Sequence, residues 1–363
     1  MALCACIANA QDNLLAALNA TLAPLREHAN DRLSNDHGDT RGATSQLTVA
    51  KHQMRDWIEG KLTKFPEKGD TAALSTELHA GLRDARLFCD SCFPSFLGFV
   101  DDVQLSRERG FLIVRTSMGI WCGYDDSAYA YQWTANRWQR IWESEQNTYA
   151  PKRYLPQSVH AVHISPPDQD GGRLLLSLGA QPGCASAFQP VYYRVWRVSA
   201  RGAKLLLDKS EFANVGDYPP TQGSVEPADV RIELTLGGTG YGSAHQAVRH
   251  YTVLGDRAEQ VDPIATTPRD FVEEWLGSPW AQSAGRSDSA SLKSWHQRLH
   301  REDGMGDFPG PTLRCSGDPD LWQVSTHLHD SPEMYYLVRR RQPDHFAMAG
   351  VSERPYPECG TAP

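Results

Sequence analysis

One pattern of strands and turns recurs along most of this chain and limits what it can fold into. Residues 110–145 read as an apolar strand, a loop around Trp121, a strand of alternating aromatic residues, a tight turn and a second aromatic strand. A period of two between apolar and polar side chains is typical of strands with one buried face. Turns rich in Gly, Asn, Asp and Pro between such strands predict antiparallel hairpins.

The same order of strands and turns returns three more times, in units that begin near residues 159, 229 and 321. Each unit contains three or four short strands. Units of about 50 to 60 residues that cannot bury both faces alone are typical of propeller blades. The sequence therefore predicts a propeller-like array of about four antiparallel β units. A β-sandwich or an open β meander is the alternative.

The region before the repeats, residues 11–90, has a helical period. Its leucines recur at spacings of three and four residues, and Asp70 is a good N-cap for a third helix. Residues 96–360 are expected to form the β domain. The predicted fold class is thus α+β and mainly β, with an N-terminal helical segment.

The second predicted helix separates apolar from charged residues. Its buried face is expected to carry Leu47, Met54, Trp57, Ile58 and Leu62. Its solvent-exposed side is expected to carry Lys51, Arg55, Glu59 and Lys61. We interpret the apolar stripe as a packing face.

An interruption, residues 263–317, separates the third repeat from the fourth. Thr267 can act as N-cap, Pro268 suits the first helical position, and Asp270 places an acid in the first turn. This start predicts a helical insertion within the β domain.

Charge and hydropathy exclude some classes of function. The net charge of −8 argues against non-specific binding of nucleic acids, which needs a basic surface. No apolar run approaches the roughly 20 residues that span a bilayer, so no transmembrane segment is predicted.

The first ten residues are apolar and end in Ala8-Asn9-Ala10, as the end of a secretory leader does. We interpret residues 1–10 as a residual leader or a disordered terminus. Cys6 can also be read as the lipidated residue of a lipoprotein processing site. These readings predict export to the periplasm or the extracellular space, and a cytoplasmic protein with an uncut terminus is the alternative.

Cysteine spacing also favours export. Removal of the leader cysteines leaves six, an even number that suits an oxidising compartment. Cys122 and Cys184 occupy matching loops of the first two repeats, which predicts one disulfide. Cys315 and Cys359 flank the last repeat, which predicts a second.

A shared face of the repeats is the candidate binding site. If the repeats are blades, the loops that join their second and third strands lie on one rim, with the insertion 263–317 beside them. That rim would collect Trp121, Tyr124, Asp125, Asp126, His245, His329, Asp330 and Glu333. This mixture suits a small polar ligand or a cation. The alternative is a solvent-exposed rim whose charges only keep the protein in solution.

Catalytic motifs are missing from the sequence: there is no G-x-S-x-G elbow, no P-loop and no G-x-G-x-x-G after a strand. His327 and His329 stand two apart on a predicted strand, so they share a face and are weak candidates for a metal site. A divalent cation is therefore an open alternative, and no cofactor is predicted.

The function predicted from the sequence is that of an exported binding or scaffold protein with no assigned chemistry. Its partner would be a small polar ligand, a glycan or another protein. One alternative is a hydrolase or lyase that uses an Asp/His cluster on one face of a propeller. A partner-binding or inhibitory envelope protein is the other.

Overall fold

The structure is a computed structural model of the chain. It describes residues 2–27, 40–88, 98–120, 123–145, 158–181, 188–199, 202–214, 221–237, 244–300, 307–328 and 333–359. These residues are mainly β, with three antiparallel sheets and a few helices. The chain divides into two compact units, Met1–Lys209 and Ser210–Pro363.

The first unit begins with the predicted helical segment. Its helices are α1 (Ala2–Glu27), α2 (Thr40–Leu62) and α3 (Thr71–Asp84). The α3 helix begins as predicted, because the Asp70 carboxylate accepts a hydrogen bond from the Ala72 amide at 2.9 Å. Each of the three helices contributes buried leucines to one apolar core that it shares with the first sheet.

The first sheet corresponds to the first repeat. Its strands pair antiparallel in sequence order: β1 (Val100–Glu108), β2 (Phe111–Ile120), β3 (Gly123–Thr134) and β4 (Arg137–Glu143). The turns at Arg109-Gly110 and Ala135-Asn136 have positive φ at both central residues. This is the backbone of type I′ turns, whose twist matches that of paired strands.

Strands β2 and β3 are buried on both faces. On one face, Val114 and Tyr129 are cross-strand partners that pack in the core with the helices. On the other face, Ile113 and Ala130 are partners that pack in a second core, which includes Leu175. Apart from Arg115, every side chain along the middle of this hairpin is therefore buried, whatever its polarity.

The remaining strands of the first unit follow the second repeat. They are β5 (Ser158–Ile164), β6 (Arg173–Ala180), β7 (Phe188–Ser199) and β8 (Gly202–Asn214). β6 pairs antiparallel with both β5 and β7. The boundary between the two units falls within β8.

The second unit begins with the strands of the third repeat, which are β9 (Thr221–Glu226), β10 (Asp229–Gly237), β11 (Ala244–Leu254) and β12 (Arg257–Val261). β8 pairs with β7 and, at Ala213↔Leu236, with β10. The second and third repeats therefore do not each form a separate four-stranded sheet. The predicted propeller is not confirmed.

The helical insertion starts as predicted. It contains α4 (Pro268–Gly277), α5 (Trp280–Ser283) and α6 (Leu292–Leu299). Thr267 Oγ1 accepts from the Asp270 amide at 3.1 Å, which caps the first turn of α4. The ring nitrogens of His296 and His300 donate to the Trp275 and Leu276 carbonyls at 2.9 and 2.6 Å. These two histidines thus satisfy carbonyls that the end of a helix leaves unpaired.

The insertion ends earlier than predicted, because residues 307–314 are a strand and not part of a helical segment. The third sheet pairs β13 (Asp307–Arg314), β14 (Leu321–Leu328), β15 (Met334–Gln342) and β16 (His345–Ser352) in that order. The sequence hides β13 because Pro309 and Pro311 argue against a strand. The register shift between Pro309 and Thr312 accommodates them.

A cysteine pair joins the third sheet to the end of the second unit. Cys315 and Cys359 are buried and lie at disulfide distance. Cys122 and Cys184, the other predicted pair, lie outside the described residues. No helix in the described part of the chain is both long enough and apolar enough to cross a membrane.

We expect the loss of this disulfide to destabilise the second unit. The double variant Cys315→Ser/Cys359→Ser should lose about 4 kcal/mol of unfolding free energy, because the bond closes a loop of 44 residues in the unfolded chain. Urea unfolding of the wild-type and variant proteins measures the loss. Equal stability, or free thiols in non-reducing peptide mapping of the wild type, would show that the bond is not formed.

Candidate functional site

The predicted binding residues lie in strands more often than in loops. Tyr124, Asp125 and Asp126 belong to β3, and His245 belongs to β11. The sequence prediction placed them in loops because polar and glycine residues surround them. The pairing between strands extends further than the sequence predicted, since β2 and β3 pair as far as Ile120↔Gly123.

The remaining predicted residues are only partly covered by the structure. Trp121, His329 and Asp330 lie outside the described residues, as does the side chain of His327. Glu333 is exposed and accepts a hydrogen bond from the Tyr335 hydroxyl at 2.7 Å. The proposed common rim of these residues stays a prediction.

Strand alternation separates the two predicted aspartates. Successive side chains of a strand point to opposite faces, so Asp125 and Asp126 cannot act together. Asp125 pairs across the strands with Met118, which packs in the core with the helices. Asp126 lies on the other face, where its Oδ2 accepts from Ser158 Oγ at 2.7 Å. Both aspartates are buried, and neither lies on a solvent-exposed rim.

A group of polar side chains lies between α2 and the first sheet. We define this polar cluster as Lys51, Thr116, Asp125, Ser127 and Tyr129. Lys51 on α2 and Asp125 on β3 form an ion pair, with Nζ 2.8 Å from Oδ1, and both side chains are 0% exposed. The other three members share this face of the sheet, because Thr116 pairs with Ser127 and Tyr129 follows two residues later.

One hydroxyl group of the polar cluster is buried without a partner. Thr116 Oγ1 makes no hydrogen bond, whereas the Tyr129 and Ser127 hydroxyls interact with each other, which opposes the rise in the pKa of Tyr129. Native proteins pair most buried polar atoms, since each unpaired one costs about 1–3 kcal/mol. The cluster therefore combines a satisfied ion pair with unused capacity for hydrogen bonds.

An outer ion-pair group adjoins the polar cluster on α2. We define it as His52, Arg55 and Glu145. Arg55 Nη1 lies 2.6 Å from Glu145 Oε2, and His52 Nε2 lies 3.5 Å from Oε1. The side chain of Glu145 is fully buried, whereas that of His52 is 41% exposed. The outer group thus spans the distance from the protein interior to solvent.

Burial has the largest effect on the pKa values of Tyr129 and Glu145. Burial raises the pKa of Tyr129 well above its ordinary value, and the negative charge of Glu145 raises it further. Burial also raises the pKa of Glu145, which the positive charge of Arg55 opposes. The Tyr129 phenol therefore stays protonated at neutral pH and can donate a hydrogen bond.

Sequence reasoning missed four of the five members of the polar cluster. Lys51 was assigned to the wet side of its helix, but its side chain is fully buried. The signal was present: Leu47, Met54 and Ile58 lie four residues before, three after and seven after Lys51. These are the spacings of one helix face. Lys51 therefore occupies a core position of the apolar stripe.

Asp126 anchors β3 near the start of β5. Ser158 is the first residue of β5, and Arg115 on β2 donates to the carbonyls of Val159 and His160 at 3.2 and 2.6 Å. Burial raises the pKa of Asp126 from 3.8 to about 6, although hydrogen bonds from Ser117 and Ser158 oppose the shift. The ionised form is thus disfavoured in the folded protein.

The Asp126→Asn variant should gain stability over the wild type as pH rises. A carboxyl whose folded pKa is raised contributes stability below its unfolded pKa and loses it as pH rises through the folded value. From about pH 4 to about pH 8 the gain should grow to about 3 kcal/mol, because the pKa moves from 3.8 to about 6. Urea unfolding at several pH values measures it. A pH-independent difference would contradict this assignment.

The second unit contains its own buried charge network. Arg249 on β11 lies between Glu211 on β8 and Glu274 on α4, with N–O distances of 2.5 and 2.6 Å. His245 Nε2 lies 2.7 Å from Glu274 Oε1. The Glu274 carboxylate therefore connects α4 to β11, and Arg249 extends the network to Glu211 on β8.

The charges of this network stabilise one another. Burial alone would raise the pKa of Glu274, but the charge of Arg249 and the hydrogen bond from His245 hold it at about 2. Burial lowers the pKa of His245, and the hydrogen bond and charge of Glu274 raise it to a net value above the ordinary one. His245, a predicted ligand-binding residue, is thus occupied in attaching α4 to β11.

Removal of one charge from this network should be costly. Glu274→Gln is expected to lower the free energy of unfolding by about 3–5 kcal/mol at neutral pH, because it leaves Arg249 buried with half of its counter-charge. The stability that Glu274 contributes is present above pH 4.5 and is lost as pH falls toward about 2, so the difference should shrink in acid. Urea unfolding measures it.

Glu233→Gln is the matched control, since Glu233 pairs with Arg231 on β10 with its side chain half exposed. This change should have little effect on stability. A cost at Glu274 no larger than that at Glu233 would show that the network is not a buried unit.

No metal site is evident in the part of the chain that the structure describes. Among those residues, no group of three or more His, Cys, Asp or Glu side chains is arranged to hold a metal ion. The candidates His327 and His329 are not tested by this observation, because their side chains are not described. The possible divalent cation stays a prediction.

Comparisons with known proteins do not assign a family. No protein-family model matches the chain, and no curated protein matches it significantly. Among solved structures, the chain is similar to the crystal structure of polysaccharide lyase Uly1, with 9% sequence identity and a TM-score of 0.27. The match covers 70% of this chain and 57% of that one. A likeness of this degree carries no conclusion about activity.

Proposed function

We propose that this protein is a binding protein that takes a small polar ligand in the polar cluster of its first unit. The observation that carries the proposal is the Thr116 hydroxyl, which is buried without a hydrogen-bond partner beside a fully buried ion pair. Ligand pockets contain a few convergent polar groups on a largely apolar lining. The cluster has this character, since the apolar helix–sheet core surrounds it.

A purely structural role explains the cluster poorly. Replacement of Thr116 by Val would remove an unpaired hydroxyl and leave the packing nearly unchanged. Such changes to unpaired buried groups are neutral or stabilising. Residues that lower the stability of the folded protein are typical of functional sites.

The chemistry of the cluster favours binding over catalysis. A general acid or base is most effective with a pKa near the working pH. Tyr129 has its pKa raised far from neutrality by burial, and Asp125 is held in an ion pair with Lys51. These groups are suited to hydrogen bonding, which is why we favour a binding protein over the hydrolase or lyase alternative.

We further propose that the protein acts outside the cytoplasm, in the periplasm or the extracellular space. The cysteine pair at disulfide distance, Cys315 and Cys359, supports this location. Disulfides persist in oxidising compartments and are rare in the cytosol. A glycan or a protein partner in addition to the small ligand stays open.

The Thr116→Val variant tests the proposed site through stability. We expect it to raise the unfolding free energy of the ligand-free protein by about 1–3 kcal/mol, because it removes an unpaired buried hydroxyl. Thermal and urea unfolding measure the change. Thr134→Val, at the exposed end of the neighbouring strand β3, is the matched control and should change little. If Thr116→Val destabilises the ligand-free protein, the hydroxyl has a structural partner and the proposed site is wrong.

A further inference from the structure

We infer that Ser75 is a nucleophile that carboxylic esters acylate, with His79 as its general base and Asp102 as the residue that orients His79. These side chains lie in the first unit, on α3 and β1. The inference goes beyond the binding function proposed above and does not rest on it, because it uses no member of the polar cluster. It follows from one row of hydrogen bonds and from the contacts that hold its members in place.

Hydrogen bonds join the three side chains in a row. His79 Nε2 lies 3.1 Å from Asp102 Oδ1, and His79 Nδ1 lies 3.4 Å from Ser75 Oγ. The second distance is long for a hydrogen bond, and contacts between a nucleophile and its base are often loose before a substrate binds. A hydroxyl beside a base that a third group orients is the arrangement that nucleophilic catalysis requires.

The carboxylate of Asp102 determines where the protons of this row lie. A carboxylate only accepts hydrogen bonds, so His79 Nε2 carries the proton between them. The other nitrogen of a neutral imidazole is then an acceptor. The Ser75 hydroxyl therefore donates to Nδ1, which is free to take the serine proton. The serine proteases use the two ring nitrogens in the opposite sense, but the chemistry requires only that serine and carboxylate lie at opposite nitrogens.

Two donors hold the Asp102 carboxylate in place. The Val103 amide donates to Oδ1 at 2.8 Å, and Gln104 Nε2 donates to Oδ2 at 2.6 Å. Gln104 Oε1 in turn accepts from Arg115 Nη2. An ion pair between two mobile surface side chains has no such supports. Asp102 therefore presents a fixed oxygen to His79, as the orienting residue of a general base must.

The position of the His79 ring is also set by its own helix and by an aromatic neighbour. Ser75 and His79 are four residues apart on α3, a spacing that brings their side chains together on one face of the helix. The rings of His79 and Phe88 pack edge to face, with centroids 5.4 Å apart. Asp102 and Phe88 thus fix the imidazole from two directions, with Nδ1 directed at Ser75.

Solvent access distinguishes this row from the buried networks of the protein. The side chains of His79 and Asp102 are 24% and 33% exposed, and Ser75 is partly exposed. A substrate can therefore reach the Ser75 hydroxyl without entering the core. Carboxylic esters are the class that we infer, because their carbonyl carbon is more electrophilic than that of an amide and their alcohol leaves more readily.

The reaction balances with water as the second reactant. Ser75 Oγ bonds to the carbonyl carbon of the ester while its proton passes to His79 Nδ1, and Asp102 stabilises the imidazolium. The bond from that carbon to the alcohol oxygen breaks, and the imidazolium returns the proton to the leaving alcohol. A water molecule that His79 deprotonates then attacks the acyl group. Oγ leaves and regains its proton, and a carboxylic acid is released.

A fluorophosphonate probe, which reacts with activated serines, tests the nucleophile on the full-length protein. We expect peptide mapping to place the label on Ser75 in the folded protein and to find none after heat denaturation. Ser294 is the internal control, because it is an exposed helical serine with Arg298 four positions later in place of a histidine. Absence of label from Ser75, or equal labelling of Ser294, overturns the inference.

Variants of the row test the role of the base. His79→Gln should slow the labelling of Ser75 and the hydrolysis of p-nitrophenyl acetate by at least about 100-fold, because a general base contributes a factor of about 10²–10⁴. Thr76→Ala is the matched control and should change neither rate, since the exposed Thr76 hydroxyl only donates to the Ala72 carbonyl. Equal rates in His79→Gln and the wild type overturn the inference. If His79→Gln does not fold, the map of the wild type still decides.

Asp102→Asn separates a positioning role from a structural one. The asparagine oxygen can still accept from the Val103 amide, but a neutral amide does not stabilise an imidazolium. We expect a rate of acylation at least about tenfold lower, with KM and the unfolding temperature close to those of the wild type. An unchanged rate, or a loss of rate that only follows a loss of folded protein, shows that Asp102 merely attaches β1 to α3 and contradicts the assigned row.

Discussion

Burial of the β2–β3 hairpin on both faces is the constraint on which the first unit depends. Helices cover one face and the strands of the second repeat contribute to the core on the other. A strand buried on both sides has no wet face for its polar residues, so each polar residue must find a partner inside. Asp125 finds Lys51, and Asp126 finds Ser158. The Thr116 hydroxyl of the polar cluster has no such partner.

The local elements of the fold were predictable where short-range chemistry determines them. Asp70 and Thr267 each predict a helix start, and the structure has caps at both. Turns that contain Gly or Asn predicted two hairpins of the first sheet, and both turns have positive φ at their central residues. Pairing at longer range was not predictable, because the propeller required each repeat to close a separate sheet, whereas β8 pairs with β7 and β10. The prolines of β13 also concealed a strand that a register shift accommodates.

The candidate site was predictable only at Asp125. Thr116 and Ser127 meet because of the register in which β2 and β3 pair, and a sequence pattern does not give that register by itself. Lys51 was misassigned since its charge outweighed its position in the apolar stripe of α2. A buried lysine is rare without a partner, and its partner lies 74 positions away in the sequence, as the two residue numbers show. Local patterns cannot reveal such a pair.

The polar cluster of the first unit and the charge network of the second unit differ in one respect that separates attachment from binding. In the second unit, Glu274 is hydrogen-bonded to both His245 and Arg249, and Arg249 also pairs with Glu211. Such a network holds a helix against strands. In the first unit, the ion pair of Lys51 and Asp125 lies beside the Thr116 hydroxyl, which is buried without a partner. A preorganised frame with unsatisfied donors and acceptors is what a binding site requires, because the ligand then completes the hydrogen bonds that folding left open.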